Sequence, residues 1–194
     1  MKRLFCIAAG MALAASAQAQ SSKPAPAYLT LSGGGSSYNV DCAGTSSCDK
    51  SGSAVRLLGG YRLNSNLGVE GIYMNLGQSK ASVNTPGVGL INAKVKSSFF
   101  GGGVAGYLPF GTGFEAAARL GLASVDTKLS GSIGSGVVVP AASERKAKLY
   151  AGLSLSYAFS QSLAADVSWD STNFEVIGEK ATVTALTVGL SLRF

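Results

Sequence analysis

The chain contains no histidine, and charged residues make up only 13% of its 194 positions, where a soluble domain usually carries about 25%. Without histidine, Ser-His-Asp and Cys-His arrangements are excluded, and the commonest metal ligand is missing. The glycine triplets at 33–35 and 101–103 lack the downstream GK[ST] of a phosphate-binding loop. Asp166 and Asp170 could pair as carboxylates, but four residues apart on a strand they stand ~13 Å from one another at ~3.3 Å per residue. Beyond residue 19 no run approaches the ~18 consecutive apolar residues of a membrane helix. Nor does any stretch hold apolar residues at i, i+3, i+4 and i+7 for three turns. We therefore expect no catalysis, no cofactor, no metal and no helical span.

What the chain does have begins at its N-terminus. Lys2 and Arg3 precede an apolar run from Leu4 to Ala17, and Ala17-Gln18-Ala19 supplies small residues for a cut before Gln20. This is the pattern of a secretory signal peptide over 1–19, followed by a Pro-containing leader over 20–26. Residues 20–194 then carry fourteen basic against ten acidic side chains, a net charge of +4 spread along the chain. So mild a balance does not point to nucleic acid. Cys42 and Cys48, six apart in the polar segment DCAGTSSCD of an exported chain, read as a local disulfide.

Eight runs alternate with period two: Ala27–Ser32, Ala54–Leu63, Leu67–Leu76, Val95–Leu108, Phe114–Val125, Ala147–Phe159, Leu163–Asp170 and Thr182–Phe194. Strict alternation is the mark of strands with unlike faces. Three connections are tight, Asn64–Asn66, Pro109–Gly113 and Ser160–Ser162; four are long and polar, spanning 39–53, 77–94, 126–146 and 171–181. Short and long connections in strict succession describe an up-and-down antiparallel meander with every long loop at one end.

Alternation alone fits a soluble ligand-binding barrel with its apolar face inward as well as a transmembrane barrel with that face in lipid. The second face favours the latter. In the sixth run Leu149, Leu153, Leu155 and Tyr157 oppose Gly152, Ser154 and Ser156; in the seventh Leu163, Val167 and Trp169 oppose Asp166, Ser168 and Asp170. Six of the eight runs are ten residues or longer, enough for the ~9–11 of a tilted transmembrane strand. Aromatic residues near the short-turn ends (Tyr28, Tyr61, Tyr107, Phe110, Phe114, Tyr157, Phe159 and Phe194) are expected to form an interfacial girdle. On the fourth run Phe99 and Phe100 are adjacent, so one of them must face inward or lie outside the bilayer.

By parity Arg56, Arg62, Glu70, Glu115, Arg119, Lys148, Asp166, Asp170 and Arg193 share the lumenal face. A charge in a narrow lumen needs a partner or water. Glu70, Arg119 and Asp166 each lie a few residues above a short turn, so a salt-bridge network is expected among them. Eight strands enclose an interior just wide enough for side chains, which excludes a wide pore. At the other end Lys80, Lys94, Lys96, Lys128, Arg145, Lys146 and Lys148 gather near the bases of the long loops. They suit phosphates of outer-leaflet lipopolysaccharide or acidic glycans. Gly87–Asn92 and Ser135–Ala141 carry apolar residues far from the bilayer, a contact surface for a ligand or protein partner.

The segments GGYRLNSNLGVEGIYMNLG (Gly59–Gly77) and AGYLPFGTGFEAAARLGLA (Ala105–Ala123) resemble the second-to-third and fourth-to-fifth strand hairpins of OmpA-like outer-membrane β-barrels. The closing LTVGLSLRF is similar to the C-terminal signal of bacterial outer-membrane barrels. The resemblance implies that outer-membrane assembly machinery reads Leu186, Val188, Leu190, Leu192 and Phe194. It also implies a polar, side-chain-filled lumen, with Glu70 at the family's lumenal glutamate position and Arg119 at its lumenal arginine. Asp166 stands where the best-known pattern has a base, and Val104 where a lysine is expected, so the family's gating pair is not assumed. With Phe194 as the last residue, the periplasmic peptidoglycan-binding domain of large members is expected to be absent.

The expectation is therefore an eight-stranded outer-membrane barrel of a Gram-negative bacterium. It is a monomer with a structural or surface-interaction role, or alternatively a narrow channel for ions or small apolar solutes.

Overall fold

In a computed structural model, which describes residues 26–39, 47–85, 89–133, 137–176 and 179–194, the chain is a closed all-antiparallel barrel. The signal sequence 1–19, nearly all of the leader 20–26 and Cys42 lie outside the described residues. Eight strands form the wall: β1 (Ala27–Asn39), β2 (Ser51–Arg62), β3 (Leu67–Thr85), β4 (Gly89–Phe110), β5 (Phe114–Ile133), β6 (Val137–Ala158), β7 (Leu163–Val176) and β8 (Glu179–Arg193). A three-residue strand, Ser47–Asp49, prolongs the β2 side against β3, with Cys48 opposite Ala81. Each strand pairs with its sequence neighbour, and β8 closes on β1 in register from Tyr28↔Arg193 to Asn39↔Thr182. The chain's last strand therefore leaves no open edge beside the membrane, the condition a spanning β-structure must meet. Phe194 and Ala27 complete the seam with reciprocal backbone hydrogen bonds of 2.9 and 3.1 Å.

The short turns form for local reasons. Asn64 Oδ1 accepts the backbone N–H groups of Asn66 and Leu67, and Ser160 Oγ accepts those of Ser162 and Leu163. Two of the four long polar connections are not loops. β3 and β4 stay paired to Thr85↔Gly89, and β5 and β6 to Ile133↔Val137, so strands β4 and β6 reach 22 residues. Period two fades in the sequence of both hairpins beyond the apolar runs. The backbone ladder needs no such contrast and continues. Gly77 (φ 71°) sits at a register shift between Asn75 and Gln78, a backbone geometry that suits glycine. The shift moves the inward phase from Met74 and Leu76 to Ser79. Among the described residues the β6–β7 ladder ends at Tyr150↔Thr172, and above that point β6 pairs with β5 alone.

Outside, Leu31, Val55, Leu122, Leu153, Val167 and Leu190 form an exposed apolar belt. Phe110, Phe114, Tyr157 and Phe159 make a chain of ring contacts, 4.7–5.8 Å between centroids, along its short-turn edge. Two of the expected girdle members are elsewhere: Tyr28 and Tyr107 are buried inside. Their strand-end position suggests the interface, but they share phase with Thr30 and Ala105, and phase decides. Val104 is not lumenal: it is 60% exposed on the outer face, while its neighbour Ala105 points inward. Phe99 and Phe100 divide as alternation requires, Phe99 within and Phe100 without.

The interior has two zones. Toward the long hairpins, Tyr38, Met74, Leu76, Phe99, Val125, Tyr150 and Val183 pack as an apolar core, with the Phe99 and Tyr150 rings 5.9 Å apart. Toward the short turns the filling is ionic.

Candidate functional site

The ionic zone is built from inward-phase residues, its charged groups standing on β2, β3, β5, β7 and β8. Arg56 (β2) is fully buried, at 0% exposure. Its Nη1 donates to Asp166 Oδ1 at 2.8 Å and to the Ser168 hydroxyl, while its Nε lies 3.5 Å from Asp170 Oδ2. From β5, Arg119 Nε donates to Glu70 Oε2 at 2.9 Å and Nη2 to Ser154 Oγ at 2.9 Å. Arg119 Nη1 also lies 3.7 Å from Asp170 Oδ1, so Asp170 stands between the two guanidinium groups as an ion-pair bridge.

A second tier hangs below. Glu70 Oε1 accepts from the hydroxyls of Tyr28 and Tyr107. The Arg62 guanidinium lies over the Tyr107 ring, 4.3 Å from its centroid, a cation–π arrangement. Arg62 then makes a two-pronged pair with Glu115 (2.7 Å from Nη1), whose Oε1 also takes Arg193 Nη2 at 3.4 Å. Four arginines thus meet four carboxylates, and the charges within this ion-pair zone balance. That balance matters because each unpaired buried ion costs several kcal/mol. Gly152 makes room for the bridge: a Cβ there would stand 2.3 Å from Asp170 Oδ1 and 2.8 Å from Arg119 Cγ. An open space of about 30 Å³ between the tiers is bordered by Tyr28, Glu70 and Glu115 among others. That is room for about one or two waters.

Of the three residues singled out from the sequence, Glu70 and Arg119 touch, whereas Asp166 meets neither. Asp166 is joined to them only through Arg56 and Asp170. Parity already puts Arg56 and Asp170 on the inward face. It does not say which inward residues meet across the lumen, because that depends on how strands are staggered around the closed barrel. Tyr28 and Tyr107 were legible by the same phase rule. Leu186, Val188, Leu190, Leu192 and Phe194 are exposed along the outside of β8. Cys48 is paired by its backbone, and its expected partner Cys42 is outside the described residues. Among the described residues no group of three acidic or cysteine side chains is placed to hold a metal.

The chain matches the family described as outer membrane protein beta-barrel domain over residues 5–194. No curated protein matches it. Among solved structures it is similar to Neisserial surface protein A, with 13% identity and a TM-score of 0.59 over 87% of this chain and 97% of that one. It is similar to Ail, the attachment invasion locus protein of Yersinia pestis, with 17% identity and a TM-score of 0.58 over 89% and 100%. OprG of Pseudomonas aeruginosa follows at 14% identity and a TM-score of 0.57 over 88% and 97%. At these identities the likeness is one of fold.

Proposed function

We propose, on the premise that the chain belongs to the outer membrane protein β-barrel family and resides in the outer membrane, that it is a plugged barrel acting at the cell surface. In this reading the wall and lumen are a scaffold, and the work is done by the strands that project beyond the apolar belt. The observation that carries it is the filled lumen: a balanced ion-pair zone beneath a packed apolar zone, with Arg56 closed off from solvent between them. A pore needs a continuous polar path, and a packed apolar layer opposes ion passage by the cost of dehydrating the ion. The absence of histidine and of a metal-binding cluster among the described residues favours a non-enzymatic role.

The projecting hairpins supply the surface. Their bases are basic, which suits the phosphates of lipopolysaccharide in the outer leaflet as a standing partner, and acidic glycans as a second one. A solved structure of Ail is in complex with the heparin analogue sucrose octasulfate. The protein functions as a monomer, its β-edges closed within the membrane, and its last strand serves as the assembly signal.

Planar-bilayer recording on the purified protein tests the plug, and we expect no stable large conductance steps. Regular steps with ion selectivity would replace this reading with the narrow channel. Removing residues 135–141, which include the start of β6, is expected to lower binding of cells to host matrix while leaving the barrel folded. Unchanged adhesion in a whole-cell assay would count against the surface role of that segment.

A further inference from the structure

The basic residues near the hairpin bases do not share one face. Lys146 and Lys148 on β6 have the inward phase of Tyr150, whereas Arg145 has the outward phase of Leu149. On β4 the outward phase of Phe100 continues through Ser98 to Lys96, and on β5 that of Leu122 continues through Ser124 and Asp126 to Lys128. Lys96 stands directly opposite Lys128 in the β4–β5 ladder, both exposed. Like charges directly opposite on one face of an antiparallel pair repel. The carboxylate one step nearer the membrane, Asp126, already takes Arg145 at 3.2 Å.

Just beneath the cations the outer wall has a groove of about 270 Å³, bordered by Tyr73, Ser98, Phe100, Ser124, Asp126 and Arg145. Its level can be gauged along β5. From Phe114 to Leu122 the strand climbs ~20 Å at ~3.3 Å per residue and ~40° tilt, close to the ~25 Å height of an apolar band. Lys128 follows ~15 Å higher by the same rise and tilt. The pair therefore stands ~10 Å beyond the ~25 Å band, at headgroup height. Lysine stems lie readily along apolar surface, with their ammonium groups at the boundary.

We propose that Lys96 and Lys128, with Arg145 beside them, bind the phosphate of an acylated, phosphorylated lipid of the outer leaflet, whose chain lies in the groove against Tyr73 and Phe100. The inference deepens the lipopolysaccharide partnership proposed above and rests on it. A phosphate between the two lysines relieves their repulsion, and the aromatic groove beneath is continuous with the lipid-facing belt. A soluble polyanion would have no use for that groove.

The test uses the full folded chain in zwitterionic micelles, titrated with lipopolysaccharide bearing its lipid phosphates and followed by calorimetry. Replacing both lysines with glutamine (K96Q/K128Q) is expected to weaken binding by about tenfold or more, as loss of a charge-assisted contact does. K96R/K128R keeps the charge and is expected to retain binding. Dephosphorylated lipopolysaccharide is expected to bind wild type and K96Q/K128Q alike. If K96Q/K128Q binds the phosphorylated lipid as tightly as wild type does, the site is wrong while the partnership stands. If wild type takes up this lipid no better than phosphatidylcholine, both fall. Full displacement of the lipid by millimolar inorganic phosphate would overturn the lipid assignment in favour of a free-anion site. Folding of each variant is checked by heat-modifiable electrophoretic mobility, and both substitutions lie on the exposed surface.

Discussion

Arg56→Ala is expected to lower the stability of the folded barrel by about 3–5 kcal/mol, the usual result of removing one partner from a buried ion pair. The substitution leaves Asp166 without its 2.8 Å partner and deprives Asp170 of one of its two guanidinium neighbours. Both carboxylates are inside a lumen with little room for water, so neither charge can be rehydrated cheaply. Urea unfolding in lipid vesicles, read through Trp169 as the single tryptophan, measures the loss. A second variant separates charge imbalance from lost packing. Arg56→Met combined with Asp166→Asn removes one charge of each sign, keeps much of the volume and leaves Asp170 with Arg119. It is expected to recover most of the stability, since replacing both members of a buried ion pair is often neutral. If Arg56→Ala costs less than ~1 kcal/mol, the typical effect of an ordinary substitution, the lumen is wetter than the structure indicates.

Leu153→Arg is expected to cost about 2–4 kcal/mol in a bilayer, the penalty for a basic side chain on the lipid face near the midplane. Leu153 is 55% exposed, midway along β6 between the interfacial Tyr157 and Leu149, and stands opposite Ala118 and Trp169. In water such an exposed leucine would accept arginine within about 0.5 kcal/mol. The size of the effect therefore reports which solvent the outer face meets. Because Trp169 is adjacent, the folded fraction is better followed by gel mobility than by fluorescence. Ser124→Arg, near the upper limit of the belt on β5, serves as the internal comparison and is expected to cost about 0–1 kcal/mol. Equal costs at the two positions would contradict the placement of the belt.

The wall of the barrel was legible in the sequence because lipid imposes a strong contrast on alternate residues. Leu153 and Ser154, or Trp169 and Asp170, differ too much to share a face, and all four fall where parity sends them. The strand ends were less legible, since the contrast disappears once Lys96 or Lys128 is above the belt. Tyr28 and Tyr107 stand near turns, yet phase and not position sends them inside, and phase likewise turns Val104 outward against the family pattern. The pairing of charges was hardest to read. Arg56 is 110 residues from Asp166, and they meet only because β2 and β7 face one another across a closed ring. That meeting follows from the stagger of the whole barrel, which no local run of residues encodes.

The same stagger gives the ion-pair zone a part to play during assembly. Its contacts join β2 to β7, β3 to β5 and β5 to β7. None of these pairs shares a ladder, so the zone forms only when the sheet has rolled up with every strand in register. Were one strand to slide by a single residue, its charges would turn outward to lipid and its leucines inward. Each misplaced arginine near the midplane would then add ~2–4 kcal/mol of penalty. The network thus favours a single register of closure over each neighbouring one.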